Sequence, residues 1–298
     1  MTRQHIIPPA IQLMKLNESL IRNAHRLPSP VITVGGQAVV YWYGYYLEAY
    51  QVRPGLESIT SVDVDYVTHR ETVEVIAELF NVKPHVQEVF NPPSIAVLDL
   101  IDLDTGKVKE DEEGLFLDPR SDETNIIDII DRPTGFEVQD LRGEGLVLNT
   151  ERFYIATDAE EISSEKVLVL NPVACIRSRL ANATVPMGKD KLIEAERIKA
   201  LAVPVFNFLL EKFRELEFRE SRNYFDYYCR VIWQRQYRRY QVEYNIPLYA
   251  ILEQFLIQLK SFPHSYNYPG AFVEIELPRC IEHMASEYKR ICNIAKKS

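Results

Sequence analysis

Apolar positions in the first half of the chain recur with two different periods. Over 10–26, Leu13, Leu16, Leu20 and Ala24 stand at helical spacing and Pro28 and Pro30 close the run, which predicts a helix. Val31-Ile32-Thr33-Val34 is short, β-rich and stopped by Gly35-Gly36. Residues 37–50 are aromatic and aliphatic almost all round, the composition of a buried helix. Ser61-Val62-Asp63-Val64-Asp65-Tyr66 alternates with period two and reads as a strand. A helix is expected at about 69–80, and a β-like run from Ser94 to Leu103 ends in the turn Asp104-Thr105-Gly106-Lys107. Residues 108–123 read as a hairpin excursion or loop, 125–131 as a strand ended by Arg132-Pro133, and 145–156 and 166–170 as shorter β-like pieces.

After Pro172 the period changes. Segments 173–183, 190–217, 221–242, 247–261 and 276–295 all carry helical spacing, and strand signals nearly vanish. A boundary near 165–172 follows, giving an α/β domain over 1–168 and a helical domain over 169–298.

Composition narrows the class. A hydrophobic fraction of 46% with 26% charged residues is that of a globular protein, and 298 residues suffice for about two domains. No apolar run approaches the roughly 18–20 residues of a membrane span. Pro8, Pro9 and Gln12 interrupt what would be a leader core, so a cytoplasmic location is expected, with no membrane partner. Cys175, Cys229, Cys280 and Cys292 form no C-x-x-C pair, and the six histidines lack ligand spacing, which argues against a zinc site built from them. The net charge of −9 argues against a protein that coats long nucleic acids, but it is unevenly spread. Residues 99–123 hold ten acidic side chains against Lys107, Lys109 and Arg120, whereas 219–241 hold six arginines against Glu220 and Asp226.

Three features carry chemistry. A strand running into Gly35-Gly36 and then a helix offers a sharp turn and exposed amides suited to phosphate oxygens. Period-two geometry sends Ser61, Asp63 and Asp65 to one strand face and Val62, Val64 and Tyr66 to the other. Two carboxylates side by side repel unless a cation lies between them, and Mg²⁺ with a triphosphate resolves that repulsion. A third carboxylate, Asp128, is flanked by paired isoleucines, where a charge is costly without a partner or metal. Asp99, Asp102 and Asp131 are rivals for that role, and Asp104 reads as a turn residue. Each feature alone has a plainer reading: a common strand-to-helix turn, a solvated edge strand, a salt-bridged aspartate.

Taken in order, V-G-G-Q-A, T-S-V-D-V-D-Y and I-I-D-I-I resemble the nucleotidyltransferase superfamily of the DNA-polymerase-β type, over roughly residues 30–132. The spacing from Gly36 to Asp63 suits best the branch that includes abortive-infection toxins of the type IV toxin–antitoxin class. The resemblance implies an α+β fold, with a nucleotidyltransferase-like mixed β-sheet flanked by helices and an all-helical C-terminal domain. It implies two Mg²⁺ ions, a nucleoside triphosphate (NTP) such as ATP as donor, and transfer of the monophosphate to a hydroxyl with release of pyrophosphate. By the same resemblance Gly35 and Gly36 meet the triphosphate, Ser61 a phosphate oxygen, and Asp63, Asp65 and Asp128 the metals. A further likeness at V-L-N-P-V-A-C-I-R-S-R-L-A-N-A, residues 169–183, brings in Ser178, Arg179 and Asn182, followed by Lys189 and Lys191, as phosphate contacts or domain braces. The pattern departs from its relatives before the D-x-D strand, where Glu57 and Ser58 stand in place of a frequent arginine.

In the helical half, Arg219, Arg222, Arg230, Arg235, Arg238 and Arg239 interleave with Tyr224, Tyr227, Tyr228, Trp233, Tyr237 and Tyr240. Arginines with stackable rings suit an unpaired RNA 3′ end as acceptor. The opposing reading puts the rings in the core and pairs the arginines with the acidic stretch. A protein acceptor and an antitoxin partner remain open, as do an inactive nucleotide-binding sensor and an interaction protein in which the D-x-D face is merely solvated.

Overall fold

The alternation at 61–66 becomes strand β2 (Val64–Val67), in which Val64 and Tyr66 are buried and Asp65 is half-buried. The computed structural model describes residues 5–55, 59–91, 93–157, 159–185 and 189–296. Around β2 a mixed sheet assembles from β1 (Val31–Thr33), β3 (Val82–Asn91), β4 (Ser94–Asp102), β7 (Ile126–Ile130), β8 (Thr150–Arg152) and β11 (Val167–Leu170). The order across its seven strands is β3-β4-β7-β2-β1-β11-β8, with β2 parallel to β7, β1 parallel to β11 and the remaining pairs antiparallel. Short pairs β5 (Glu110–Asp111) with β6 (Gly114–Leu115), and β9 (Ile155–Ala156) with β10 (Glu161–Ile162), stand apart from it. The protein is therefore α+β, with a mixed sheet and a helical C-terminal region, as the periodicities predict.

Contacts divide the chain into two compact units, Met1–Tyr41 with Thr60–Asn171, and Trp42–Ile59 with Pro172–Ser298. In the first unit, helix α1 (Pro9–Arg22) lies against one face of the sheet. Its polar buried residue Asn17 joins the sheet by accepting from Thr33 Oγ1 at 3.2 Å and donating to Tyr66 Oη at 3.2 Å. The same face carries Val64, Tyr66, Ile127 and Ile129, all without exposure, so both their apolar area and the Asn17 polar atoms are accounted for. Helix α3 (Val73–Phe80) packs beside α1 and on β3 and β4, burying Val73, Ile76, Ala77 and Phe80. Helix α2 (Gly35–Tyr45) begins directly after β1.

Two local expectations fail. Strand β3 gives no clear sequence signal, because Lys83, Pro84, His85 and Gln87 break the alternation; it is an edge strand, where proline is tolerated. Conversely, 145–149 is helical rather than β-like: α4 (Gly143–Asn149) precedes β8, and Asn149 Nδ2 satisfies the Gly145 and Asp140 carbonyls.

The second unit holds helices α5 (Pro172–Thr184), α6 (Lys191–Ala200), α7 (Ala202–Glu215), α8 (Phe218–Ile232), α9 (Arg235–Glu243), α10 (Ala250–Ser261) and α11 (Leu277–Ala295), the last preceded by a π turn at Phe272–Glu276. The long run 190–217 breaks at Leu201, so that Pro204 falls in the first turn of α7, where its missing N–H leaves no bond unmade. The run 221–242 breaks at Trp233-Gln234, and Gln241 Nε2 donates at 2.8 Å to the freed Ile232 carbonyl. Phe213 anchors the core, with Phe255 at 5.1 Å and Phe272 at 5.6 Å between ring centroids.

Candidate functional site

Register decides which carboxylates are neighbours. In the parallel pair β2–β7, Asp65 is the direct partner of Asp128. Partnered residues of a sheet point to the same face with Cα atoms about 5 Å apart. Both are half-buried on the face opposite Tyr66 and Ile129, and Asp63, two residues before Asp65, is half-buried just ahead of the strand. Two carboxylates on neighbouring strands of one face are a donor set that a divalent cation can use. Asp128 is flanked on its other side by Val97 of β4.

The rival aspartates are placed elsewhere. Asp99 is partnered with Ile126 and has His85 Nε2 at 3.4 Å at the sheet's outer side. Asp102 is a turn cap whose Oδ1 accepts from the Thr105 amide at 2.9 Å and hydroxyl at 3.0 Å, contacts that hold its carboxyl below the usual range. Asp131 lies past the end of β7, with Oδ2 2.8 Å from Arg132 Nη1. Asp104 accepts from Asn81 in the same turn, as its turn assignment predicts.

Gly35 sits against Asp65. Its φ of +68° is left-handed, and a Cβ built on it would stand 1.8 Å from Asp65 Oδ2. Only a residue without a side chain permits both the turn and the approach of α2's first turn to Asp65. Val34 N donates to the Asp65 carbonyl at 3.0 Å, tying the turn to β2 through the backbone. Gly36 is buried in the same turn. Buried Gln37 completes the clamp: its Nε2 donates to the carbonyls of Ser61 at 2.6 Å and Val62 at 3.2 Å. Val62 O also accepts from Asn125 Nδ2 at 3.1 Å, and Asn125 Nδ2 reaches Gln12 Oε1 at 2.6 Å. This buried amide chain, Gln12–Asn125–Gln37, fixes the segment that enters β2 and holds Ser61, itself half-buried, beside the glycine turn. Sequence reasoning misses it, since isolated amides carry no pattern; the one cue is an Asn or Gln among apolar neighbours.

A cation from the acidic excursion also comes near. The Arg120 guanidinium is raised above its ordinary value by hydrogen bonding to Asp118 first and, among lesser contributions, by the charge of Asp63. Read from the sequence, Arg120 is only one of three basic residues in an acidic stretch. Glu57 and Ser58 lie outside the described residues.

Arg179 and Lys189 belong to the second unit. Arg179 is buried on α5 with Nη1 3.2 Å from Glu194 Oε1, and Arg197 Nη1 reaches the same oxygen at 3.1 Å. Ser178, also buried, accepts from Arg179 Nη2 at 3.2 Å, and Asn182 is buried one turn on. These contacts brace the helical core. Lys189 is exposed just before Asp190, whose carboxylate caps α6, and Lys191 is exposed at that helix's first position.

The arginine–tyrosine region resolves into two populations. Tyr224, Tyr227, Tyr228, Tyr237 and Tyr240 are buried and serve packing, which removes them as a stacking platform for RNA bases. Trp233 is half-buried with the Arg238 guanidinium over its ring at 4.8 Å. Arg222 pairs with Glu276 and Arg238 with Glu287, both within the same unit, whereas the acidic stretch finds Lys15, which bridges Asp111 and Glu113.

Among the described residues no group of three or more His, Cys, Asp or Glu side chains converges to hold a metal ion, and no helix is long and apolar enough to cross a membrane. Comparison with protein-family models, with curated proteins and with solved structures finds no match to this chain.

Proposed function

We propose that the Asp65–Asp128 face is the centre of a metal-dependent nucleotidyltransferase of the DNA-polymerase-β type, transferring a nucleoside monophosphate from an NTP to an acceptor hydroxyl with loss of pyrophosphate. The observation that carries the reading is the in-register pairing of Asp65 and Asp128 on adjacent parallel strands, with Asp65 against a left-handed glycine that opens a helix. The donor set fits Mg²⁺, which characteristically takes one or two carboxylates and fills its remaining positions with phosphate oxygens and water rather than a closed protein cage. A pair plus a more loosely placed Asp63 matches that habit.

Asp65 and Asp128 would hold the metal, with Asp63 beside them. Bound there, Mg²⁺ neutralises charge on the phosphates and on the leaving pyrophosphate. The chain supplies positioning. The first-turn amides of α2 offer donors to phosphate oxygens, and Gln37 and Asn125 keep the strand entry from shifting. Asp128, on the β4 side of Asp65, would orient or deprotonate the acceptor hydroxyl. The acceptor would be a hydroxyl of an RNA end, a protein or a small molecule.

The test is transfer of label from α-³²P-labelled NTPs with Mg²⁺ to a total RNA and protein pool. Asp65→Asn and Asp128→Asn are each expected to lower the rate at least about a thousandfold while leaving the melting temperature within a few degrees. Nucleotide binding without pyrophosphate release would assign the sensor reading instead, and equal labelling by both variants refutes the site.

A further inference from the structure

On the same face as Asp65 and Asp128, one strand repeat further along, lies a cavity of about 310 Å³ within the first unit. Its walls include Ile32 and Val67, direct partners on β1 and β2, with Leu141 and Leu146 of the covering segment 138–149. Val67 follows Asp65 by two residues on the same side of β2, a step of about 7 Å. Gly35, the carboxylates and the cavity thus lie in sequence along one strand.

Thr68, His69, Gln87 and Ser94 give the cavity polar groups besides those of Asp131, Arg70 and Arg142. Asp131 lines it, and Asp131 Oδ1 is a buried oxygen that has no hydrogen-bond partner among the described residues, while Oδ2 is taken by Arg132. A buried acceptor left unpaired costs about 1–3 kcal/mol, so a bound N–H donor has something to gain there. Arg70 and Arg142 stand exposed at the rim, where guanidinium planes can stack on a ring.

We propose that this cavity receives the base of the donor nucleotide, and that Asp131 Oδ1 accepts a hydrogen bond from an exocyclic amino group, selecting amino-bearing bases over uracil. The inference rests on the transferase reading and deepens it. Apolar strand walls with a few polar side chains among them, one carrying an unpaired buried acceptor, suit a pocket for a flat heterocycle. Uracil presents a single imino N–H flanked by two carbonyl oxygens, and both would face the Asp131 carboxylate. Adenine, cytosine and guanine each present an amino group. The interval from Asp65 to Val67 leaves room for the ribose and α-phosphate.

The experiment is calorimetric titration of the full chain with Mg²⁺ and each of ATP, GTP, CTP and UTP, and with inorganic tripolyphosphate, which has no base. At least one amino-bearing NTP is expected to bind about tenfold or more tighter than UTP, the scale of one well-placed base contact. Asp131→Asn should reduce that preference to within about threefold and leave tripolyphosphate binding unchanged. Leu146→Trp, which fills the cavity from its half-buried wall, should weaken all four nucleotides at least about tenfold, again sparing tripolyphosphate. If tripolyphosphate and nucleotides bind but Asp131→Asn keeps the preference, or Leu146→Trp binds nucleotides as wild type does, the base pocket is overturned and the transferase site stands. If neither tripolyphosphate nor any nucleotide binds, both fall.

Discussion

Replacing Gly35 by alanine tests the geometry of the site at one atom. Alanine at φ +68° costs about 1–2 kcal/mol for the left-handed backbone. The added methyl would stand 1.8 Å from Asp65 Oδ2, 2.8 Å from its Cγ and 3.1 Å from its Cβ. No backbone atom is among these three neighbours, so the cheapest relief is to swing the Asp65 carboxylate aside, at about 0.5–1.5 kcal/mol of rotamer strain. The sum is roughly 1.5–3.5 kcal/mol, or a fall in melting temperature of about 3–14 °C at about 2–4 °C per kcal/mol for a domain of this size. Function should suffer more than stability, since a displacement of about 1 Å at a reacting centre costs on the order of a hundredfold. Differential scanning fluorimetry measures both, as the melting temperature without ligand and as its rise with Mg²⁺ and nucleotide. Gly44, in the same helix, is the control, because a methyl group added there would meet nothing within 4 Å. Gly44→Ala should be neutral or stabilising by up to about 1 kcal/mol. A Gly35→Ala protein that melts with wild type and keeps its full ligand-induced shift would show that Gly35 does not crowd Asp65.

Other expectations follow from buried polar groups. Glu194→Ala leaves the Arg179 and Arg197 guanidiniums facing each other in the helical core and should cost about 3–5 kcal/mol in urea denaturation, whereas a surface pair such as Lys199–Glu196 should cost under about 1 kcal/mol. Asn125→Ala removes the donor to Gln12 Oε1 and Val62 O and the acceptor for Ile126 N, and should lose about 2–4 kcal/mol together with transfer activity; unchanged activity would show that the strand entry is held by other means. Burial pushes the Cys175 thiol up to about 12, so at pH 8 only on the order of one in ten thousand is thiolate. Native protein should therefore leave Cys175 unmodified by iodoacetamide, with labelling by mass spectrometry appearing only on unfolding; rapid native labelling contradicts its burial.

The opposite facing of Asp65 and Tyr66 is legible because period two is a local rule within a strand, whereas Ser61 and Asp63 precede the strand Val64–Val67, where that rule no longer fixes their side. That Asp128 and not Asp99, Asp102 or Asp131 stands beside Asp65 is not legible, since it depends on the register between two strands separated by α3, β3 and β4. The aromatic–arginine stretch shows the opposite limit. Its composition fits both a stacking surface and a packed helix, and only the rotation of α8 and α9, set by the core around Phe213 and Phe255, puts the tyrosines inside. Edge strand β3 escapes detection because an edge tolerates the proline and charges that a central strand would reject. The helix breaks at Leu201 and Trp233 escape because periodicity survives a one- or two-residue interruption.

The central strand β1 has one neighbour supplied early and one supplied late: Val31 is matched with Val167. The second unit has the same character, since Trp42–Ile59 belongs with residues that begin at Pro172. During synthesis a ribosome must pass Leu170 before the sheet can close around β1, so the nascent chain carries an unfinished strand edge from β1 until β11 is made. Such long-range closure slows folding and prolongs exposure of that edge. A chain stopped before β11 should accumulate as aggregate, and a holdase chaperone should raise the yield of the full-length protein.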